Sequence, residues 1–181
     1  HEAVVKRVIH TTADFDYARN LHFTPRAVEQ AVKALHAGAV IVTDTNMALA
    51  GVNKGALQAL GGRAVCYMAD GAVARAAGAR GVTRAAVSME YAALLDGPLI
   101  FAVGNAPTAL IRLHELIAEG AVSPALVIGV PVGFVNVVEA KELFIGGQTP
   151  YIIARGRKGG SNVAAAIVNA LLYQLIEREG F

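Results

Sequence analysis

Five short runs of uninterrupted apolar residues, separated by longer stretches of helical periodicity, constrain the fold of this chain more than any other feature. The runs are Ala39–Thr43 (AVIVT), Arg63–Tyr67 (RAVCY), Leu99–Val103 (LIFAV), Ala125–Ile128 (ALVI) and Tyr151–Ala154 (YIIA). They do not alternate apolar with polar, as strands with one wet face would. Parallel strands covered on both faces read this way. The helical stretches are Pro25–His36, Asn53–Leu60, Val73–Leu95 in two pieces, Ala106–Glu119, Gly133–Leu143 and Asn162–Glu179, with Glu2–Asp14 ahead of them all. Strand alternating with helix gives an α/β class: three layers, a mostly parallel five-stranded sheet, and helices on both faces. No repeat, charge block or Ser/Pro-rich linker interrupts the pattern, so residues 1–181 are expected to form one domain.

Composition removes several functions. With 55% hydrophobic and 17% charged residues the chain is not intrinsically disordered. Its 16 Lys+Arg against 14 Asp+Glu give a net charge of only +2, without the clustered basic excess that phosphate backbones demand. Aromatic residues are 6%, with no Trp, which disfavours a base-stacking platform. The longest uncharged run, Gly120–Val138, holds Pro124, Gly129, Pro131 and Gly133 and reads as strand, turn and loop rather than a membrane span. No basic segment precedes an apolar one at the N-terminus. The single cysteine, Cys66, cannot form an intramolecular disulfide, so a reducing, cytoplasmic setting is expected. Placed within the second run, Cys66 would be buried and inert.

Polar residues and glycines gather after the strands. Asp44-Thr45-Asn46-Met47 follows the first run, Gly104–Thr108 the third, Gly129–Phe134 the fourth and Arg155–Asn162 the fifth. Open parallel sheets bind ligands beyond the carboxyl ends of their strands, near the point where strand order reverses. In a flavodoxin-like order the first and third runs would flank that point. Arg155, Arg157 and Lys158, beside the flexible amides of Gly159, Gly160 and Ser161 at a helix start, suit an anion, although the phosphate-loop spacing is missing. Ser161 or Asn162 could instead be a plain N-cap. Asp44 and Asn105 each read as a cap or as a ligand contact. Thr83 reads as a cap, and Arg84 at the positive end of a helix hints at an anionic partner.

The first helical stretch sets Val4, Val5, Val8 and Ile9 on one face and Arg7, His10 and Asp14 on the other. Spacing alone favours a solvated face. The alternative is a proton donor, His10, with a cation beside it and Asp14 orienting the imidazole. The five histidines show no pair at metal-ligand spacing.

Taken together, these segments resemble the precorrin-8X methylmutase family. The likeness runs through Lys6–Asp16 (KRVIHTTADFD), Thr43–Lys54 (TDTNMALAGVNK), Gly81–Arg84 (GVTR), Gly104–Leu110 (GNAPTAL), Gly129–Val135 (GVPVGFV) with Glu139-Ala140-Lys141, and Gly156–Tyr173 (GRKGGSNVAAAIVNALLY), in family order across nearly the whole chain. The HTTADFD segment looks more like the cobalt-handling branch. The resemblance implies a flavodoxin-like fold and a homodimer with active sites near the subunit interface. It also implies an isomerisation in vitamin B12 synthesis, in which a methyl group moves between adjacent ring-C carbons of precorrin-8 to give cobyrinate or hydrogenobyrinate. No redox cofactor, S-adenosylmethionine or protein-bound metal is implied; any cobalt belongs to the substrate.

By the same resemblance, His10 matches the family's catalytic histidine and Arg7 its substrate-contacting arginine. The carboxylate rim of the substrate would account for Arg84, Arg155, Arg157 and Lys158. Asp44, Thr45, Thr83, Asn105, Gly159, Gly160 and Ser161 count as substrate-binding by position. Family members carry a further segment ahead of the first helix, whose absence here is expected to leave the pocket incomplete. Two other classes compete: a corrinoid carrier without turnover, for which His10 is dispensable, and a flavin or nucleotide binder, which lacks its phosphate fingerprint.

Overall fold

The structure, a computed structural model, describes residues 1–176. Its strands are β1 (Leu21–Phe23), β2 (Val40–Thr43), β3 (Arg63–Val65), β4 (Leu99–Val103), β5 (Leu126–Gly129) and β6 (Tyr151–Ala154). They form one sheet in the order β1-β6-β5-β4-β2-β3, parallel throughout except for β1, which pairs antiparallel with β6. The helices are α1 (Glu2–Thr12), α2 (Tyr17–Asn20), α3 (Ala27–His36), α4 (Asn46–Gly51), α5 (Lys54–Ala59), α6 (Gly71–Arg80), α7 (Arg84–Ala92), α8 (Pro107–Ala118), α9 (Val137–Glu142) and α10 (Ser161–Leu172).

Successive strand residues feed opposite faces of the sheet. Ile41, Ile100, Ala102, Ile128 and Ile152 join a core with α1, α3, α5 and α10, while Val42, Phe101, Val103, Val127 and Ile153 join a second core with α7, α8 and α9. Both faces are therefore dry, as the unbroken apolar runs require. The most buried helix is α10, apolar nearly all round, as expected of a helix enclosed on every side. Its alanines admit close neighbours: a Cβ on Gly51 of α4 would lie 2.8 Å from the Ala165 Cβ.

Several expectations need correction. The sheet has six strands rather than five; β1 is three residues long with His22 at its centre, too short for periodicity to register. Helix α4 was also unanticipated; the Thr45 side chain starts it by accepting from the Ala48 N–H at 3.0 Å. The second run keeps strand geometry only to Val65, so Cys66 lies just outside it and is half-buried, not sealed in the core. Helix α1 stops at Thr12 because Ala13 takes a left-handed backbone (φ 54°), which closes the helix two residues early. The Val73–Leu95 stretch does fall into two helices, α6 and α7, divided at Gly81 (φ 64°). The last helical stretch ends at Leu172, and its expected continuation past residue 176 lies outside the described residues. No helix of the described residues is long and apolar enough to cross a membrane.

Candidate functional site

The strand order reverses between β2 and β4, so the loops after them meet at the carboxyl edge of the sheet. Asp44, leaving β2, is 1% exposed and turned into the protein. Its Oδ1 accepts from the Gly104 N–H (2.8 Å), and its Oδ2 accepts from Asn105 (2.8 Å) and Ala106 (2.7 Å). Burial pushes this carboxyl above the usual range, and the three backbone N–H donors pull it back. Both oxygens are thus committed to the turn that starts α8, so Asp44 is a strut of the site and not a ligand contact. Asn105 does not cap α8; its side chain is exposed at the edge.

The start of α10 closes over this junction. A Cβ on Gly104 would lie 2.7 Å from both the Gly160 carbonyl oxygen and the Ser161 Cα, so only glycine allows the approach. The Ser161 and Thr45 hydroxyls meet at 2.7 Å, which joins the β2 and β6 loops. Neither Ser161 nor Asn162 caps α10; the N-cap is Gly160 (φ 136°), without a side-chain hydrogen bond. Gly159 presses on the β5 loop, where a Cβ would come within 2.0 Å of the Val130 carbonyl oxygen.

The expected trio of loop cations is divided by the fold. Arg155 is clamped to Glu142 by two hydrogen bonds of 2.8 and 2.7 Å. Lys158 Nζ lies 2.6 Å from both Asp14 and Asp16, carboxylates that raise its pKa above the ordinary lysine value. Arg157 alone of the three makes no ion pair among the described residues; its guanidinium lies 6.0 Å from the Phe134 ring centroid. Arg155 and Lys158 are therefore bound to carboxylates of their own chain rather than held open for a ligand.

Along α1, His10 is exposed and makes no side-chain hydrogen bond among the described residues. Asp14 does not orient it: beyond the helix end, the Asp14 carboxylate accepts from the Asp16 N–H (2.9 Å) and Lys158. Those bonds hold the Asp14 carboxyl below its usual range, Lys158 contributing most. Arg7 leans the other way, 5.1 Å from the Tyr173 ring centroid, in a recess of about 320 Å³ with Ala3, Ala170 and Gln174. Thr83 caps α7 by accepting from Ala86 and also bonds the Thr108 hydroxyl at 3.0 Å. Arg84 follows it, exposed and without an ion pair among the described residues.

Two features of the edge were not singled out from sequence. Phe15, Met47, Phe134 and Val135 are large apolar side chains exposed at 71–88% around the glycine-rich loop. Lys141 is fully buried beneath that loop. Its place was readable: Val137, Ala140, Lys141 and Phe144 fall at i, i+3, i+4 and i+7, which puts a lysine in a core stripe. No group of three or more His, Cys, Asp or Glu that could hold a metal ion occurs among the described residues.

Known proteins share the sequence and fold of this chain. The profile of the precorrin-8X methylmutase family matches residues 1–174. The cobalt-precorrin-8 methylmutase of Salmonella typhimurium is 51% identical over 98% of this chain and 83% of its own length. The precorrin-8X methylmutase of Pseudomonas aeruginosa is 42% identical over 94% and 82%. A crystal structure of the precorrin-8X methyl mutase of Thermus thermophilus superposes with a TM-score of 0.86 at 44% identity, covering 95% of this chain and 84% of that one. The chain belongs to the precorrin-8X methylmutase family.

Proposed function

We propose that this chain moves a methyl group between adjacent ring-C carbons of precorrin-8, in its cobalt-bearing form, with His10 as the acid. Membership of the family makes it a methylmutase, an intramolecular isomerase of cobalamin biosynthesis. The observation that carries the finer reading is the position of His10. It stands exposed on α1, whose end is tied by Asp14 and Asp16 to the glycine-rich loop at the carboxyl edge. A proton placed on the macrocycle near ring C draws electron density from the conjugated system, which eases a formal 1,5-shift of the methyl. Loss of a proton afterwards restores the neutral chromophore. No protein-bound metal or redox cofactor takes part in this scheme, and cobalt enters as part of the substrate.

The substrate carboxylates are held by Arg7, Arg84 and Arg157, cations without a carboxylate partner among the described residues, aided by Thr45, Asn105, Thr83 and the Gly159–Ser161 backbone. Arg155 and Lys158 serve the site by shaping the loop. The five parallel strands, taken in chain order, lie second, first, third, fourth, fifth, which supports a flavodoxin-like reading with β1 as an added edge. Exposed Phe15, Met47, Phe134 and Val135 around the loop support a homodimer that covers them. The cobalt branch is supported by the HTTADFD segment.

The test is an anaerobic absorbance time course with cobalt-precorrin-8, with metal-free precorrin-8 in parallel, on the wild type and His10→Ala. The expected result is conversion by the wild type, faster with cobalt, and binding without turnover by His10→Ala. Near-normal turnover by that variant would remove His10 as the acid, and wild-type binding without conversion would point to a carrier.

A further inference from the structure

Lys141 is the one lysine whose side chain the fold encloses completely among the described residues. Its ammonium donates to the Gly156 carbonyl at 2.7 Å and the Lys158 carbonyl at 2.9 Å. Between them, the Arg157 carbonyl accepts from the Gly133 N–H at 3.2 Å. The Gly156 and Lys158 carbonyls are therefore drawn inward to the buried ammonium, while the Arg157 carbonyl between them is tied to the β5 loop. In a trans peptide the N–H points opposite to the carbonyl it is joined to. The amides of Arg157 and Gly159, joined to the two carbonyls that Lys141 holds, thus face away from Lys141, and neither donates to another described residue.

No carboxylate compensates this buried charge. Glu142 is taken by Arg155, Asp14 and Asp16 by Lys158, and Glu139 lies on the exposed side of α9. Burial lowers the Lys141 pKa to about 8, while its two carbonyl acceptors favour the ammonium. An apolar side chain in the stripe of Val137, Ala140 and Phe144 would avoid that desolvation. What the lysine supplies instead is a fixed geometry. Lys158 extends it: its carbonyl is held by Lys141, and its ammonium holds Asp14 and Asp16, just past the helix that carries His10.

We propose that Lys141 is a positioning residue of the methylmutase site, fixing the glycine-rich loop with the Arg157 and Gly159 amides turned toward the substrate carboxylates and, through Lys158, fixing the end of α1. This rests on the assignment of that loop and His10 to the site.

The test compares wild type, Lys141→Met, Lys158→Met and the double variant, with hydrogenobyrinate as the binding probe and precorrin-8 as substrate. Lys141→Met is expected to keep its far-UV spectrum, to raise KM and the product Kd about tenfold, and to lower kcat about threefold. The kcat loss of the double variant should not exceed that of Lys158→Met alone, because both act on α1 through one contact. Lys141→Arg, which keeps donors for both carbonyls, should recover most of the affinity. A Lys141→Met protein with KM and Kd within twofold of wild type overturns the proposal, as does a lowered melting temperature with both constants intact. Multiplying kcat losses in the double variant overturn the route through Lys158. Should Lys141→Met fail to fold, Lys141→Gln is read by the same split. A wild type that binds neither hydrogenobyrinate nor cobyrinate, and converts precorrin-8 neither with nor without cobalt, would instead sink the site assignment itself.

Discussion

Two turns at the same sheet edge are held from beneath by buried charges of opposite sign. After β4, the Asp44 carboxylate gathers three backbone N–H groups of Gly104, Asn105 and Ala106. After β6, the Lys141 ammonium gathers two carbonyls, those of Gly156 and Lys158. The consequence for a ligand is opposite. The first turn has used its donors internally, so the entry to α8 offers little to an anion. The second has used the Gly156 and Lys158 carbonyls, so the Arg157 and Gly159 donors face away from the ammonium at the entry to α10. A buried carboxylate closes a turn to anions and a buried ammonium opens one. Both are costly to bury, and each decides which backbone groups of its turn face the crevice.

The largest effect should come from Asp44→Ala, which strands three N–H groups in a region closed by α10. A loss of about 3–5 kcal/mol is expected, read from urea unfolding at neutral pH. Asp44→Asn should lose less, since one oxygen still accepts. Because burial raises the Asp44 pKa, the folded chain takes up this proton more readily than the unfolded chain on acidification. Asp44 therefore does not drive acid unfolding. An Asp44→Ala chain as stable as wild type would mean that water replaces the carboxylate, and the contrast between the turns would fail.

Lys141 gives the next effect, with a definite sign in pH. Its folded pKa of about 8 lies below the ordinary 10.5, so between these values the unfolded chain holds a proton that the folded chain has released. Stability contributed by this group must then rise with pH across that window, by roughly 3.5 kcal/mol at most, since each pKa unit is worth about 1.4 kcal/mol. Unfolding of wild type and Lys141→Met compared across the window isolates the term. A difference that stays flat would mean that the two carbonyls cancel the effect of burial.

Gly159→Ala follows, at about 1–3 kcal/mol, because its Cβ would overlap the Val130 and Pro131 carbonyls, which are backbone and cannot rotate aside. Weaker hydrogenobyrinate binding should accompany the loss. Gly61→Ala is a control: its Cβ meets nothing within 4 Å, though its positive φ of 75° carries a strain of its own. Equal binding losses in the two would separate the Gly159 contact from the site.

The legible part of this molecule was what repeats along the chain. β4 and β6 were read with their observed bounds, and the two-piece helix divides where Gly81 permits a left-handed turn. The edge strand β1 escaped because three residues cannot show a period. His10 on an exposed helix face and the glycine-rich start of α10 were also legible, as residue types at helix positions. The pairing of charges was not. Nothing in the spacing of Asp14, Asp16 and Lys158, some 140 positions apart, says that they neutralise one another. Likewise Asp44 looked like a ligand contact because sequence shows its place after a strand but not that it turns inward.

The smallest effect is the sharpest test of that pairing. If Arg157 faces the ligand while Lys158 is spent on Asp14 and Asp16, the two neighbours should differ in how they bear on salt. Binding of a polycarboxylate weakens with ionic strength in proportion to the charges that meet it. Arg157→Met should weaken hydrogenobyrinate binding by only about threefold at low salt, as expected for an exposed ion pair, and flatten its salt dependence. Lys158→Met should leave that dependence as steep as in the wild type, because its ammonium already has two carboxylates within 2.6 Å. Absorbance titrations over a range of salt concentrations read both. A flattened dependence in Lys158→Met would show that the ligand competes with Asp14 and Asp16 for this lysine, making the loop a receptor on both sides.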